Sequence, residues 1–512
     1  MADASGEMIL FRADASRAIG GGHVVRCLAL AEPLMARGAR CAFATSAESR
    51  GTVPGLDRFG GPLVELPDGA GASSEAEAMA RRFPAGVDWL IVDHYARDAA
   101  FERSCRPWAK HMLVIDDLAD RQHDCDILLD QTSTERAADY RSLVPPGCRL
   151  LAGPAYALLR LQFASHRRRR PREAAQSVSR VFVSFGAVDA HDHCSMALAA
   201  LAEAGLGARV DVVVGRTAPH RSNVERQAAA LPFPVEVHSD VDDMAGLMAS
   251  ADLAIGAAGV TSWERCALGL PSIVIVAAEN QRLVAAELHQ RGAALVLGEA
   301  GSVAPPQIAE AFRSLASDRD RRAAMMTAAR STCDGLGANR VGAALLPALL
   351  GADGGTVDLR PATIDDAALL LRWQSDPNTR RFARNRAVPD GATHEAWMRA
   401  RLGDPECLLS IVLSNGMPAG ALRLDRAASA GDTESWEISI YVDPTRYRQG
   451  IAKAALALAR RLLPDAVFLA DILPENAASH GLFAGAGYVL RGARYEQRPA
   501  ARRKTSNQAV AS

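Results

Sequence analysis

The chain has 512 residues, enough for about three domains of ordinary size. Hydrophobic side chains make up 49% and charged ones 23%, which supports a buried core in each domain. Fifty-eight Lys and Arg face 59 Asp and Glu, a formal charge of −1 that lacks the basic excess of a dedicated nucleic-acid binder.

No apolar run approaches the roughly 18 residues of a membrane span. The opening MADASGEMILFRADAS lacks the basic and apolar regions of a signal peptide. Nine scattered cysteines without a CxxC pair read as buried reduced thiols of a cytoplasmic protein. They suggest neither a disulfide framework nor a zinc site, and no metal site is expected.

From Met8 to about Gly351, strand-like and helix-like segments alternate. MILFRAD, RCAFAT, DWLIVD, HMLVIDD and CDILLD are the first strands. The rhythm pauses at ASHRRRRPREAAQSVS, residues 164–179, and restarts with RVFVSFG, RVDVVVG, VEVHS, DLAIGAAG and PSIVIVA. This pattern predicts α/β architecture with two Rossmann-like lobes, at 1–165 and 166–350. The basic run Arg167–Arg172 reads as a solvated linker or helix end, or else as a surface for an anion. Ala352–Thr356 reads as a short Gly-rich linker. A third, α+β unit is expected at 357–500, followed by a frayed tail at 501–512.

The segment from Ile9 to Gly38 carries the first candidate site. A strand ends near Asp14, a loop holds Gly20, Gly21 and Gly22, and a helix starts near His23. Glycines before a helix N-terminus let a ligand approach the free amides, which favour anions. His23 at the carboxyl end of a strand either caps the helix or faces the cleft as a base. Asp14 either orients His23, binds a ligand or ends the strand. In the second lobe, Gly186 opens a small-residue loop. GVTSWERCALGLPSIVIVAAENQ, residues 259–281, reads as glycine turn, helix, strand and loop. Gly259, Thr261 and Ser262 suit a helix cap or a phosphate. Glu264 suits ribose hydroxyls or a capping box, and Asn280 and Gln281 follow the next strand. His191 and His193 read as surface residues.

Together, RADAS–IGGGH, IVDHY at 91–95, DDLADRQHDCDILLDQ at 116–131 and LAGPAYALLR at 151–160 resemble the UDP-2,4-diacetamido-2,4,6-trideoxy-β-L-altropyranose hydrolases of pseudaminic acid biosynthesis. The resemblance covers about residues 8–345. It implies a GT-B-like pair of lobes holding a UDP-sugar, with His23 activating water and Tyr95 and Asn280 near the sugar. The UDP-sugar would lie against Gly21, Gly22, Gly186, Gly259, Thr261, Ser262, Glu264, Asn280 and Gln281, with the uridine and ribose near Gly259–Glu264. The loop GAVDAHD, residues 186–192, departs from the family pattern, which has a second glycine there and a later Asn. A glycosyltransferase using the same UDP site and a non-catalytic UDP-sugar-binding module are the alternatives.

In the third unit, WEISIYVDPTRYRQGIA at 436–452 is strand, break and helix start. Its amides suit a pyrophosphate. With AVFLADILPENAASHGLF at 466–483 it resembles the GNAT N-acetyltransferases. That implies acetyl-CoA on Arg448, Gln449, Gly450, Ile451, Ala452 and Asn476. Tyr447 stands where the family has Arg or Gln, and Phe483 stands where it has a tyrosine acid. Glu437 is the candidate base, or a solvent-facing strand residue.

Overall fold

The Val-, Ile- and Leu-rich runs of the first two lobes form two fully parallel sheets, as runs buried on both faces should. The computed structural model describes residues 6–67, 71–169, 173–205, 207–383, 385–428 and 433–499. The expected tail at 501–512 lies outside them. Two units separate, Met1–Leu346 and Pro347–Ser512.

In the first unit, one sheet contains β1 Met8–Ala13, β2 Arg40–Ser46, β3 Leu63–Leu66, β4 Val87–Asp93, β5 Ala109–Ile115, β6 Ile127–Asp130 and β7 Arg149–Ala152. Their order is β3-β2-β1-β4-β5-β6-β7. The second sheet contains β8 Arg180–Ser184, β9 Arg209–Val213, β10 Val235–His238, β11 Leu253–Ala257, β12 Ser272–Val276 and β13 Leu295–Glu299. Its order is β10-β9-β8-β11-β12-β13. In each sheet the order reverses beside the first strand, at β1/β4 and at β8/β11. It is outside the carboxyl ends of the strands at such switch points that α/β sheets take ligands.

Three edge strands, β3, β7 and β13, escape the sequence reading. Each is only partly buried and lacks a long apolar run.

The pause at 164–179 needs correction. Helix Leu161–Arg169 occupies its first part and packs on the second lobe against helices Met244–Ser250 and Thr261–Leu268. Arg167 is not solvated. Its buried guanidinium donates to the carbonyls of Ala267 (3.0 Å), Cys333 (3.1 Å) and Arg330 (2.9 Å). One side chain thereby closes the carboxyl ends of helices Thr261–Leu268 and Arg319–Thr332. Residues 170–172 lie outside the described residues. Helix Gly337–Leu345 returns to the first lobe, where Ala338, Val341 and Leu345 join the core beside Val24, Cys27 and Leu34.

All nine cysteines are free, and eight are buried; the sulfurs of Cys125 and half-buried Cys148 are 3.6 Å apart.

The second unit has one mixed sheet of β14 Leu349–Leu350, β15 Thr356–Pro361, β16 Cys407–Ser414, β17 Met417–Ala427, β18 Ser435–Val442, β19 Val467–Asp471, β20 Val489–Arg491 and β21 Arg494–Gln497. The order is β14-β15-β16-β17-β18-β19-β21-β20, antiparallel except for β18 with β19. The expected linker is instead a closed turn. Gly351 N–H donates to Gly355 O (2.7 Å), and Asp353 Oδ1 accepts from Gly355 N (3.0 Å). It joins β14 to β15 as a hairpin.

Candidate active sites

After β1 the chain turns through Gly20, whose φ of +76° favours glycine, and Gly21, where a Cβ would meet Val53 at 2.8 Å. Helix Gly22–Ala36 then begins, with His23 almost wholly buried. His23 Nδ1 lies 2.6 Å from Oδ1 of Asp93, at the end of β4. Arg26, one helical turn on, donates to both Asp93 oxygens at 2.6 Å and to Asp117 Oδ2 at 3.1 Å.

Burial alone would push the Asp93 carboxyl up. The Arg26 charge and His23 outweigh it and hold that carboxyl well below the usual range. An ionised carboxylate only accepts, so Nδ1 carries the proton. In that tautomer Nε2 is the ring nitrogen left to face a ligand.

Tyr95 meets the His23 ring edge-on at 4.6 Å. Burial, then the nearby Asp117 charge, pushes its hydroxyl up, so it stays protonated. It accepts from Asn280 Nδ2 of the second lobe at 2.9 Å. The position of a Gly22 Cβ lies 3.8 Å from Val260 Cγ2, again across the two lobes.

Asp14 does not orient His23. Its carboxylate accepts from Arg12 (2.9 Å) and from Ser46 N (2.7 Å), and it pairs with His94 at 3.2 Å. Those short contacts take it to the end of β2, and Asp93 holds His23 instead. Asp93, Arg26 and Asp117 were not singled out from the sequence. The available signals were an Asp closing a strand in IVDHY and an Arg one turn after His23.

In the second lobe, Gly186 has φ +94°. Buried Asp189 fills the loop that follows and accepts from the backbone of His193 and Cys194, 2.9 Å each. His191 is exposed, but His193 is buried against Phe185, a correction to the surface reading. Thr261 is half-buried at the start of its helix.

Ser262 faces inward rather than toward a phosphate. Its hydroxyl donates to Ala257 O (3.3 Å) and accepts from Arg265 (2.9 Å). Glu264 is buried 3.4 Å from Arg160 of the LAGPAYALLR motif. Burial pushes its carboxyl up; Arg160 and Arg265 only partly offset this. Gln281 Oε1 accepts from Ala277 N (2.9 Å), with its amide nitrogen 4.0 Å from a Gly259 Cβ position.

Asp211, Glu236 and His238 also converge, with ligand atoms within 4.8 Å of one another. Arg180 lies 2.5 Å from Asp211, and Arg209 pairs with Glu236, so guanidinium groups already neutralise these carboxylates.

The Asp93 arrangement carries a pH prediction. A carboxyl held below its ordinary value contributes stability above about pH 4 and loses it as pH falls further. The unfolding midpoint of the native chain should therefore drop progressively as the pH falls below about 4. Thermal unfolding of Asp93→Asn across the same range should show a flatter response.

In the second unit, β18 and β19 pair only from Ser435–Val467 to Glu437–Leu469, while β18 runs on to Val442. Beyond Glu437 the two strands part, and Glu437 sits at the apex of the split, 3.7 Å from Arg494. Helix Ile451–Leu462 follows, with Gly450 as its N-cap at φ +73°. Arg448 is exposed and left-handed, at φ +64°. Arg446 is half-buried, and its Nη1 has no protein hydrogen bond. Both arginines thus flank the turn that leads into this helix. Asn476 Oδ1 caps helix Ala477–Gly485 through Ser479 N (3.1 Å). Phe483 is core, packed on Tyr488.

Residues 181–340 match the glycosyltransferase family 28 C-terminal domain, and residues 356–489 match the acetyltransferase (GNAT) domain. The chain is 25% identical over 286 residues to the UDP-2,4-diacetamido-2,4,6-trideoxy-beta-L-altropyranose hydrolase of Campylobacter jejuni, covering 56% of this chain and 97% of that protein. It is 32% identical over 133 residues to the spore coat polysaccharide biosynthesis protein SpsG of Bacillus subtilis, covering 26% of this chain and 39% of that protein. A solved structure of Acinetobacter baumannii MurG aligns with TM-score 0.46 and 16% identity, over 66% of this chain and 99% of that one. No helix among the described residues is long and apolar enough to cross a membrane. Hydrolase homology and the GNAT domain together support a bifunctional sugar-nucleotide enzyme. The chain is a homologue of the UDP-2,4-diacetamido-2,4,6-trideoxy-β-L-altropyranose hydrolase that also carries a glycosyltransferase family 28 C-terminal domain and a GNAT acetyltransferase domain.

Proposed function

We propose that the first unit hydrolyses UDP-2,4-diacetamido-2,4,6-trideoxy-β-L-altropyranose to the free sugar and UDP. The observation that carries this is His23, fixed through Nδ1 by an ionised Asp93 so that Nε2 is the nitrogen left for a water. In the step envisaged, Nε2 takes a proton from water as the water oxygen bonds to the anomeric carbon. The bond from that carbon to the diphosphate oxygen breaks, and its electron pair leaves with UDP. Attack opposite UDP inverts the anomeric centre. UDP departs readily as an anion, so a strong acid is less necessary than in ordinary glycoside hydrolysis. Helix N-terminal amides can take up the developing charge. Tyr95 and Asn280, joined across the lobes, would flank the sugar. Glu264 would accept from the ribose.

The second unit would transfer acetyl from acetyl-CoA to the 4-amino group of the UDP-linked precursor, so that the two units catalyse successive steps of pseudaminic acid synthesis. Glu437, at the apex of the strand split, would take the amine proton through water. The pyrophosphate would lie on the amides of Gln449–Ala452, beside Arg446.

The family 28 match favours a second reading, transfer of the sugar to an acceptor. Proton NMR of the chain with the acetylated UDP-sugar and no acceptor separates the two. Free reducing sugar and UDP support the hydrolase; an unchanged spectrum supports the transferase. Glu264→Gln should weaken UDP binding by about tenfold in calorimetry, since a buried acceptor is lost.

A further inference from the structure

Residues Pro347–Gly355 precede the part of the chain that matches the acetyltransferase domain, yet they bond to the turn that leads into helix Ile451–Leu462. β14 extends the sheet beside β15, and Arg461 donates to the Pro347 carbonyl at 2.9 Å. From the closed turn that follows, Ala352 N–H donates to the carbonyl of Gln449 at 2.7 Å. The described residues contain no cis peptide, and in a trans peptide the C=O and the next N–H point in opposite directions. Holding the Gln449 carbonyl toward Ala352 therefore turns the Gly450 N–H away from it. Helix Ile451–Leu462 follows directly, and its first amides have no partner within the helix. The fit is close: a Cβ on Gly450 would meet Ala352 N at 2.7 Å, and one on Gly351 would meet Gln449 O at 2.7 Å.

We infer that Pro347–Gly355 is a positioning strap for acetyl-CoA, with Ala352 setting the Gln449–Gly450 peptide so that its amide faces the pyrophosphate. This rests on the acetyl-CoA reading above. Calorimetric titration of the full chain with CoA tests it. Ala352→Pro removes the N–H and should raise Kd about tenfold. The KM for acetyl-CoA should rise with it, while kcat and UDP release stay near native values. Ala352→Ser keeps the N–H and should bind as the native chain does. Gly351→Ala pushes on the Gln449 carbonyl without removing the donor and should also weaken CoA, so it decides the matter if Ala352→Pro does not fold. Native affinity in both Ala352→Pro and Gly351→Ala would overturn the strap. Failure of the native chain to bind CoA would overturn the acetyl-CoA reading, and the strap with it.

Discussion

His23→Ala should lower the rate of UDP release by about 10³-fold, within the range lost with a general base. The KM for the UDP-sugar should change far less, because in the proposed mode UDP is held by the second lobe, which the substitution does not touch. Asp93→Asn tests the same machinery from behind. An amide in place of the carboxylate no longer requires the proton to sit on Nδ1, and it leaves Arg26 with a buried charge half answered. A loss of about 10²-fold in kcat is expected, at the low end of what a general base contributes. Arg26→Lys should fall between the native chain and Asp93→Asn, since a single ammonium cannot bridge Asp93 and Asp117 as the planar fork does. Steady-state UDP release measured for the three variants checks the order. Native turnover in His23→Ala would remove the base from the mechanism.

Arg167→Ala is expected to have the largest effect on stability. Its guanidinium answers three carbonyls at the ends of two helices, and the substitution leaves all three buried without it. A loss of about 3 kcal/mol follows from the cost of buried unanswered polar groups. For a unit of this size that lowers the unfolding midpoint by roughly 5 °C. Arg50→Ala removes an exposed pair with Asp57 and should cost no more than about 0.5 kcal/mol. Scanning calorimetry of both variants makes the comparison. Because helix Thr261–Leu268 is one of the two that Arg167 closes, UDP affinity should fall with stability.

The contrast between these two arginines shows what the sequence could and could not convey. Apolar runs such as DWLIVD and SIVIV announce central strands because both faces of each strand are buried. The edge strands LVEL and RLLA send no such signal, since half their surface needs no covering. The glycine run pointed to the helix start where His23 lies. Its partner Asp93 is 70 residues away and becomes a neighbour only through the parallel register that sets Ala13 beside Asp93. Nothing local marks that Asp from any other at a strand end. Ser262 had the spacing of a phosphate contact, yet Arg265 one turn later draws its hydroxyl inward. Arg167 looked like one of a solvated run, and only the meeting of two helix ends makes it a buried cap.

The return of helix Gly337–Leu345 to the first lobe has a consequence for synthesis. A ribosome extends the chain from its N-terminus, and domains generally fold in that order. Here the apolar stripe of Val24, Cys27 and Leu34 waits for Ala338, Val341 and Leu345, which emerge only after the whole second lobe has been made. The lobe begun first is completed last. A nascent chain stalled before residue 337 carries an uncovered groove, and chaperones would meet the protein at that groove.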